Sequence, residues 1–171
     1  MHVGGHGDPV KMATAIRAAL AESKTPLATP VASTSPPAID LDTGQLDQII
    51  GVKGQANGGV YQFGVPRRDP ITQQGNPLTP PGPLGMATGI GVQPTGDGKA
   101  AITGDFVLTA DEVNPVIKAL RASGIEVTAL HSHMLDEQPR LFFMHFWAND
   151  DAVKLAQGLR AALDKMANAK S

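Results

Sequence analysis

The chain has 171 residues, 14 basic and 16 acidic, giving a net charge of −2; 42% of residues are hydrophobic and 18% charged. That length suits one domain with a sizeable core, and the near balance of charge excludes a field able to hold nucleic acid or an anionic membrane. The lack of cysteine excludes disulfides, thiolate metal sites and thiol catalysis, and no apolar run approaches the roughly 18 residues of a transmembrane helix.

Residues 2–21 (HVGGHGDPVKMATAIRAALA) and 145–164 (HFWANDDAVKLAQGLRAALD) align without a gap, nine of twenty positions being identical. The likeness predicts that residues 1–24 are the strand and helix remnant of a preceding repeat module, with His2 where His145 stands in the second copy. Residues 25–38 (TPLATPVASTSPPA) then read as a Pro-rich linker, and 39–171 as a complete module. The first residues lack the basic-then-apolar pattern of a signal peptide, so any export signal is expected upstream of the missing module. An unpaired strand and helix at the start predict docking on that module or on a homodimer partner.

Residues 42–50 predict a short helix with Leu46, Ile49 and Ile50 on one side. GQANGG reads as a turn, and the alternation in GVYQFGV, 59–65, as a half-buried strand. A proline-rich flap follows; loops of that length inside a domain are usually functional or mobile. Residues 86–93 and 99–108 predict a hairpin across PTGDG. In its return strand Ile102, Phe106 and Leu108 share one face, and Thr103, Asp105 and Val107 the other. Thr109 and Glu112 have capping-box spacing before a helix carrying Val113, Val116, Ile117 and Leu120. Strands at 125–134 and 140–148 flank a DEQP turn, and a last helix buries Leu155, Leu159, Leu163 and Met166. The order predicts an α+β two-layer sandwich, a mostly antiparallel sheet with helices on one face. If the strands on either side of the 109–124 helix run parallel, that helix is a right-handed crossover.

Three of the five histidines lie within fifteen residues. His131 and His133 are two apart on a predicted strand and share a face. A hairpin closing around 137–139 sets His131 opposite His145 and His133 opposite Phe143, so three imidazoles converge, with Glu137 reaching in from the turn. A one-residue change of register parity would undo this. Three imidazoles with an open position suit a divalent transition metal, Zn²⁺, Mn²⁺, Fe²⁺, Ni²⁺ or Cu²⁺. Glu137 is the expected fourth ligand or general base. Asp105 is expected either to orient a histidine's second nitrogen, with a catalytic role in view, or to stand exposed at a sheet edge. Arg67, Arg68, Tyr61 and Gln62 border the flap and read as solvated loop residues or ligand contacts. Phe142, Phe143, Phe146 and Trp147 read as core. The H-x-H-x3-E spacing is similar to the first cupin motif, but that motif's glycines are missing and the helices do not suit an all-β barrel. No GxGxxG, P-loop or nucleophile elbow is present.

The run from GDFVLTADEV through ALHSHMLDEQPRLFFMHFW to GLRAAL, with GGVYQFGVPR and KAAITGDF, resembles the LppY/LpqO family of bacterial proteins, itself a domain of unknown function. The resemblance spans about 40–166, and Ser132 stands where that family commonly has Asn. It implies tandem modules and an extracytoplasmic home, periplasmic, secreted or lipid-anchored, and no established activity. Two readings follow: a metal site formed by His131, His133 and His145, which as an enzyme would be a metal-dependent hydrolase, or a non-catalytic module that binds an unknown small ligand or serves as structure.

Overall fold

The computed structural model describes residues 3, 5–24, 27, 37–79, 82 and 84–167, in two units, Met1–Ser35 and Pro36–Ser171. His2, and the expected linker apart from Leu27, Pro37 and Ala38, lie outside the described residues. In the first unit, helix α1 (Pro9–Ala21) begins at Asp8, whose carboxylate accepts the Lys11 N–H at 2.9 Å, with Pro9 in the first turn, where its missing N–H costs nothing. None of its residues is buried, and Val10, Ile16 and Leu20 are exposed.

The second unit is built on one antiparallel sheet. Strand β5 (Ala87–Gly96) turns into β6 (Lys99–Leu108) through Asp97 and Gly98, both at positive φ, as a type I′ hairpin requires. With β1 (Gln55–Asn57), β2 (Val60–Pro66), β7 (Glu126–His131) and β9 (Phe142–Asp151) the sheet order is β1-β2-β5-β6-β9-β7. Strands β6 and β7 both run antiparallel to β9, hence parallel to each other. The helix between them, α3 (Ala110–Ala122), is therefore the expected crossover. Part of GQANGG, read as a turn, is the edge strand β1, because Gln55–Asn57 find ladder partners on β2. The flap holds a small second sheet: β3 (Thr72–Gln73) pairs with β4 (Asn76–Pro77) and with β8 (Glu137–Gln138), which lies in the expected DEQP turn.

Helices α2 (Thr43–Ile50), α3 and α4 (Ala152–Leu163) cover one face of the large sheet, as an α+β two-layer sandwich requires. Leu46 and Ile50 from α2, Val116 and Leu120 from α3, and Leu155, Leu159 and Leu163 from α4 pack with Ile102, Phe106 and Leu108 of β6 and with Met144 and Phe146 of β9. The Phe106 and Phe146 rings lie 5.3 Å apart. On the other face a smaller cluster, Ile71, Met86, Val107, Leu141 and Phe143, lies under the flap.

One polar network ties the flap to α3. Glu112 accepts the Thr109 N–H at 2.8 Å, the Arg67 guanidinium at 2.5 and 3.2 Å, and the Ala167 N–H at 2.7 Å. Arg67 also donates to the Val107 carbonyl at 2.9 Å and to Asp69 at 3.0 Å. Arg67 is thus neither a solvated loop residue nor a ligand contact: its side chain is 1% exposed, because the Val107 carbonyl and Glu112 draw it inward. Tyr61 is buried too, its hydroxyl donating to Asp47 at 2.9 Å.

Burial pushes the Glu112 carboxyl up, but Arg67 and the two N–H groups outweigh it and hold the group below its ordinary value of 4.5. A carboxylate with a lowered folded pKa stabilises fully above its unfolded value, and that contribution is lost as pH falls through the folded one. Glu112→Ala leaves the buried Arg67 with the half-exposed Asp69 as its charged partner and is expected to cost about 3 kcal/mol, read from the urea midpoint at pH 7. Glu112→Gln is expected to weaken the parent's loss of stability with acid below pH about 4.5.

Candidate metal centre

Strand β9 is hydrogen-bonded on both sides, so its alternation is fixed: Met144 and Phe146 enter the helical core while Phe143, His145 and Trp147 stand on the opposite face. Asp105 of β6 is directly opposite His145, and Val107 opposite Phe143. On the other side, Ala129 faces His145 and His131 faces Phe143.

The expected register differs by two residues, which keeps parity, so His131 and His145 share a face as diagonal neighbours. The means is a one-residue irregularity. Val127 pairs with Phe146 and packs against the core, whereas Ala129 pairs with His145, so the ladder skips Thr128. In a regular strand Val127 and His131, four apart, would point the same way. The extra residue lets β7 bury the first and present the second on the far face. His133 lies beyond the end of β7, which stops at His131. Its ring is stacked on Phe143, with centroids 3.6 Å apart and planes 9° from parallel.

The three imidazoles converge. His131 Nε2 and His145 Nε2 are 2.8 Å apart, and one nitrogen from each of the three lies within 4.8 Å of the others. A tetrahedral ion about 2.0–2.1 Å from each nitrogen would set its ligands about 3.3 Å apart, within that spread. His145 Nδ1 is 3.3 Å from the Gly104 carbonyl. A carbonyl only accepts, so this contact fits the tautomer with its proton on Nδ1, which leaves Nε2 facing the cluster. The group is able to coordinate a metal ion.

Asp105 is not the partner of His145's second nitrogen, because Gly104 supplies it from the same strand. Nor is Asp105 at a sheet edge, since β6 is central and Asp105 faces Gly89 and His145. Burial raises its carboxyl above the ordinary range, with His145 and His131 pulling the other way. Glu137 is not in the histidine group. It is fully buried, accepts the Leu141 N–H at 2.9 Å, and meets Arg140 at 3.4 Å. Arg140 in turn donates to the Met134 and Leu135 carbonyls, both at 3.0 Å. Glu137 thereby braces the loop that carries His133.

Residues 44–165, well over half of the chain, match the family described as Domain of Unknown Function (DUF1259). The chain belongs to the DUF1259 family. This overturns the LppY/LpqO resemblance. The DUF1259 match is a single region that leaves out residues 1–22, so nothing supports a tandem pair of modules. Nothing among curated proteins or solved structures matches the chain. Among its described residues no helix is long and apolar enough to cross a membrane.

Two features of the site depart from the sequence-based expectation, the Gly104 carbonyl and the exposure of Trp147, expected in the core, whereas the neighbourhood of His133 and Phe143 was expected. The first had a signal, since a glycine within a strand marks close backbone approach. A Cβ at Gly104 would collide with the carbonyl oxygen of Gly89, backbone against backbone, with no side chain able to yield. Gly104→Ala is therefore expected to cost about 1–3 kcal/mol, measured by thermal unfolding. It should also move the His145 ring resonances in an NMR spectrum, because the displaced carbonyl is the one that fixes that ring.

Proposed function

We propose that His131, His133 and His145 hold one divalent transition metal, Zn²⁺, Mn²⁺, Fe²⁺, Ni²⁺ or Cu²⁺, and that this DUF1259 module is a metal-dependent hydrolase. The observation that carries the reading is the convergence of three imidazole nitrogens within 4.8 Å. A metal held by three neutral imidazoles with an open position acts as a Lewis acid and makes water a nucleophile near neutral pH. The chain's own residues supply the rest. Gly104 fixes the tautomer of His145, and Phe143 orients His133 and shields one side from water. Asp105, across the strand from His145, is the residue we assign to accept a proton. Glu137, expected as ligand or base, we assign to holding the loop, since the Leu141 N–H and Arg140 occupy its carboxylate. In this reading the module acts outside the cytoplasm, where a chain without cysteine is indifferent to oxidising conditions.

The experiment is elemental analysis of untagged protein beside a His131→Ala/His133→Ala variant. The expected result is about one equivalent of metal in the parent, lost in the variant while circular dichroism stays unchanged. Absence of metal from the parent after incubation with all five ions would refute the reading and favour a non-catalytic ligand-binding module. Asp105→Asn in the loaded protein is expected to keep the metal and lower ester hydrolysis by about 10²–10⁴-fold.

A further inference from the structure

The face that carries the histidines continues past them toward β2, where glycines stand in place of larger residues at Gly64, Gly89 and Gly91. Gly64 of β2 pairs with Gly89 of β5, and Gly89 with Asp105. Two residues along, Gly91 pairs with Thr103, and Thr103 with Trp147. Glycine inside a strand forgoes side-chain packing and marks a place where something approaches the backbone. A Cβ at Gly64 would meet nothing within 4 Å, and one at Gly91 would touch only the Val60 side chain at 3.4 Å and the Thr103 carbonyl at 3.6 Å. A Cβ at Gly89 would meet the Asp105 carboxylate at 3.3 Å, so the glycines form a shelf that is open at Gly64 and Gly91 and bordered by Asp105 at Gly89.

Over Gly91 the shelf deepens into a pocket of about 130 Å³, walled by Val60, Trp147 and Ala101, with Gln93 and Thr103 supplying polar groups. The volume is well below the roughly 300 Å³ of the smallest drug-sized pockets, so it suits a single ring. Trp147 is 48% exposed, although Phe143, four residues before it on the same face, is fully covered by the flap cluster. Among the described residues no charged side chain lines the pocket, which disfavours a phosphate or carboxylate. An indole plate, a primary amide and a hydroxyl around a neutral cavity match a ring that is apolar on its face and hydroxylated at its edge. Trp147 is two residues from His145 along β9, about 6.8 Å, so a ring held there presents its substituent to the histidines.

We propose that this pocket is the substrate subsite of the histidine centre and takes a neutral pyranose ring, stacked on Trp147 and hydrogen-bonded to Gln93 and Thr103, the substrate being an O-acylated sugar. In the reaction the oxygen of water bonds to the acyl carbon, the bond from that carbon to the sugar oxygen breaks, and the sugar oxygen takes the proton. The role as substrate subsite rests on the hydrolase reading above; the binding of the ring does not.

Trp147 is the chain's one tryptophan, so its emission reports this pocket alone. The experiment titrates the full chain, without added metal, with methyl glucoside, methyl galactoside, methyl mannoside and N-acetylglucosamine into the tens of millimolar. The expected result is a saturable change in emission with at least one sugar. It should persist in His131→Ala/His133→Ala and weaken at least tenfold in Gly91→Val, which fills the shelf, and in Gln93→Ala, an exposed position where folding is not at risk. No saturable change with any sugar, or equal binding in parent and Gln93→Ala, overturns the proposal, as does saturation by phenol where no sugar binds. Sugar binding without any metal uptake would keep the ring site and refute the hydrolase. Metal uptake without sugar binding would do the reverse. If both hold, acetate release from acetylated glucose by the loaded protein, lowered in Gln93→Ala, supports the assigned substrate; no release from it overturns that part.

Discussion

The whole candidate site depends on the two-sidedness of β9. Met144 and Phe146 are committed to the helical core, where Phe146 meets Phe106, and the strand is laddered on both edges. A slip by one residue would expose those side chains and bury His145 in their place. The free energy that fixes the core therefore also fixes which face His145 and Trp147 occupy. Site geometry is a by-product of hydrophobic burial on the far side of the same strand. The partner strand β7 faces a conflict that β9 does not, since Val127 belongs to the core and His131 to the open face. The residue skipped at Thr128 resolves it. The irregularity thus lies in the strand that must serve both faces, a common place for a bulge beside a functional site.

This explains what could be read from the sequence and what could not. The return strand 99–108 coincides with β6 because its alternation is strict and an Asp-Gly turn fixes its start. Thr109 and Glu112 mark the helix start for an equally local reason. The convergence of His131 and His145 was legible as parity, but the pairing was not, because it depends on where the hairpin closes. The chain between the strands does not close tightly: Glu137–Gln138 leave to pair with β3 of the flap. Such a contact, some sixty residues distant, has no local signature. Glu137 looked like a ligand for the same reason, its spacing from His133 being visible and its burial against the Leu141 N–H not. Arg67 and Trp147 depart from expectation in opposite directions. An arginine in a loop is ordinarily solvated and a tryptophan in an aromatic strand ordinarily buried, and tertiary placement reversed both.

The Arg67–Glu112 network has a second consequence. Buried ion pairs do not reliably stabilise a fold relative to apolar packing, and this one serves position. It joins the start of the flap to the first turn of α3 and, through the Arg68 and Ala167 backbone, to the segment after α4. With its first residues held there, the flap lies over Val107 and Phe143 and covers that end of the face. Among the described residues the far end, at Gly91 and Trp147, has no such cover.

The histidines stand at the boundary between these two ends, and that position has a chemical meaning. On one side the half-buried His133 rests on Phe143, which is itself fully buried in the flap cluster. On the other, His145 and Asp105 border a shelf of glycines through which a ligand can approach along the backbone. A site wholly under the flap would be shielded but closed, and one out on the shelf would be open but screened by solvent. At the boundary the half-buried His133 and His145 stand beside the exposed His131, so partial cover and access meet there. The sheet achieves it by ending its aromatic cover at one residue pair, Val107 with Phe143, and placing Asp105 with His145 at the next pair on that face.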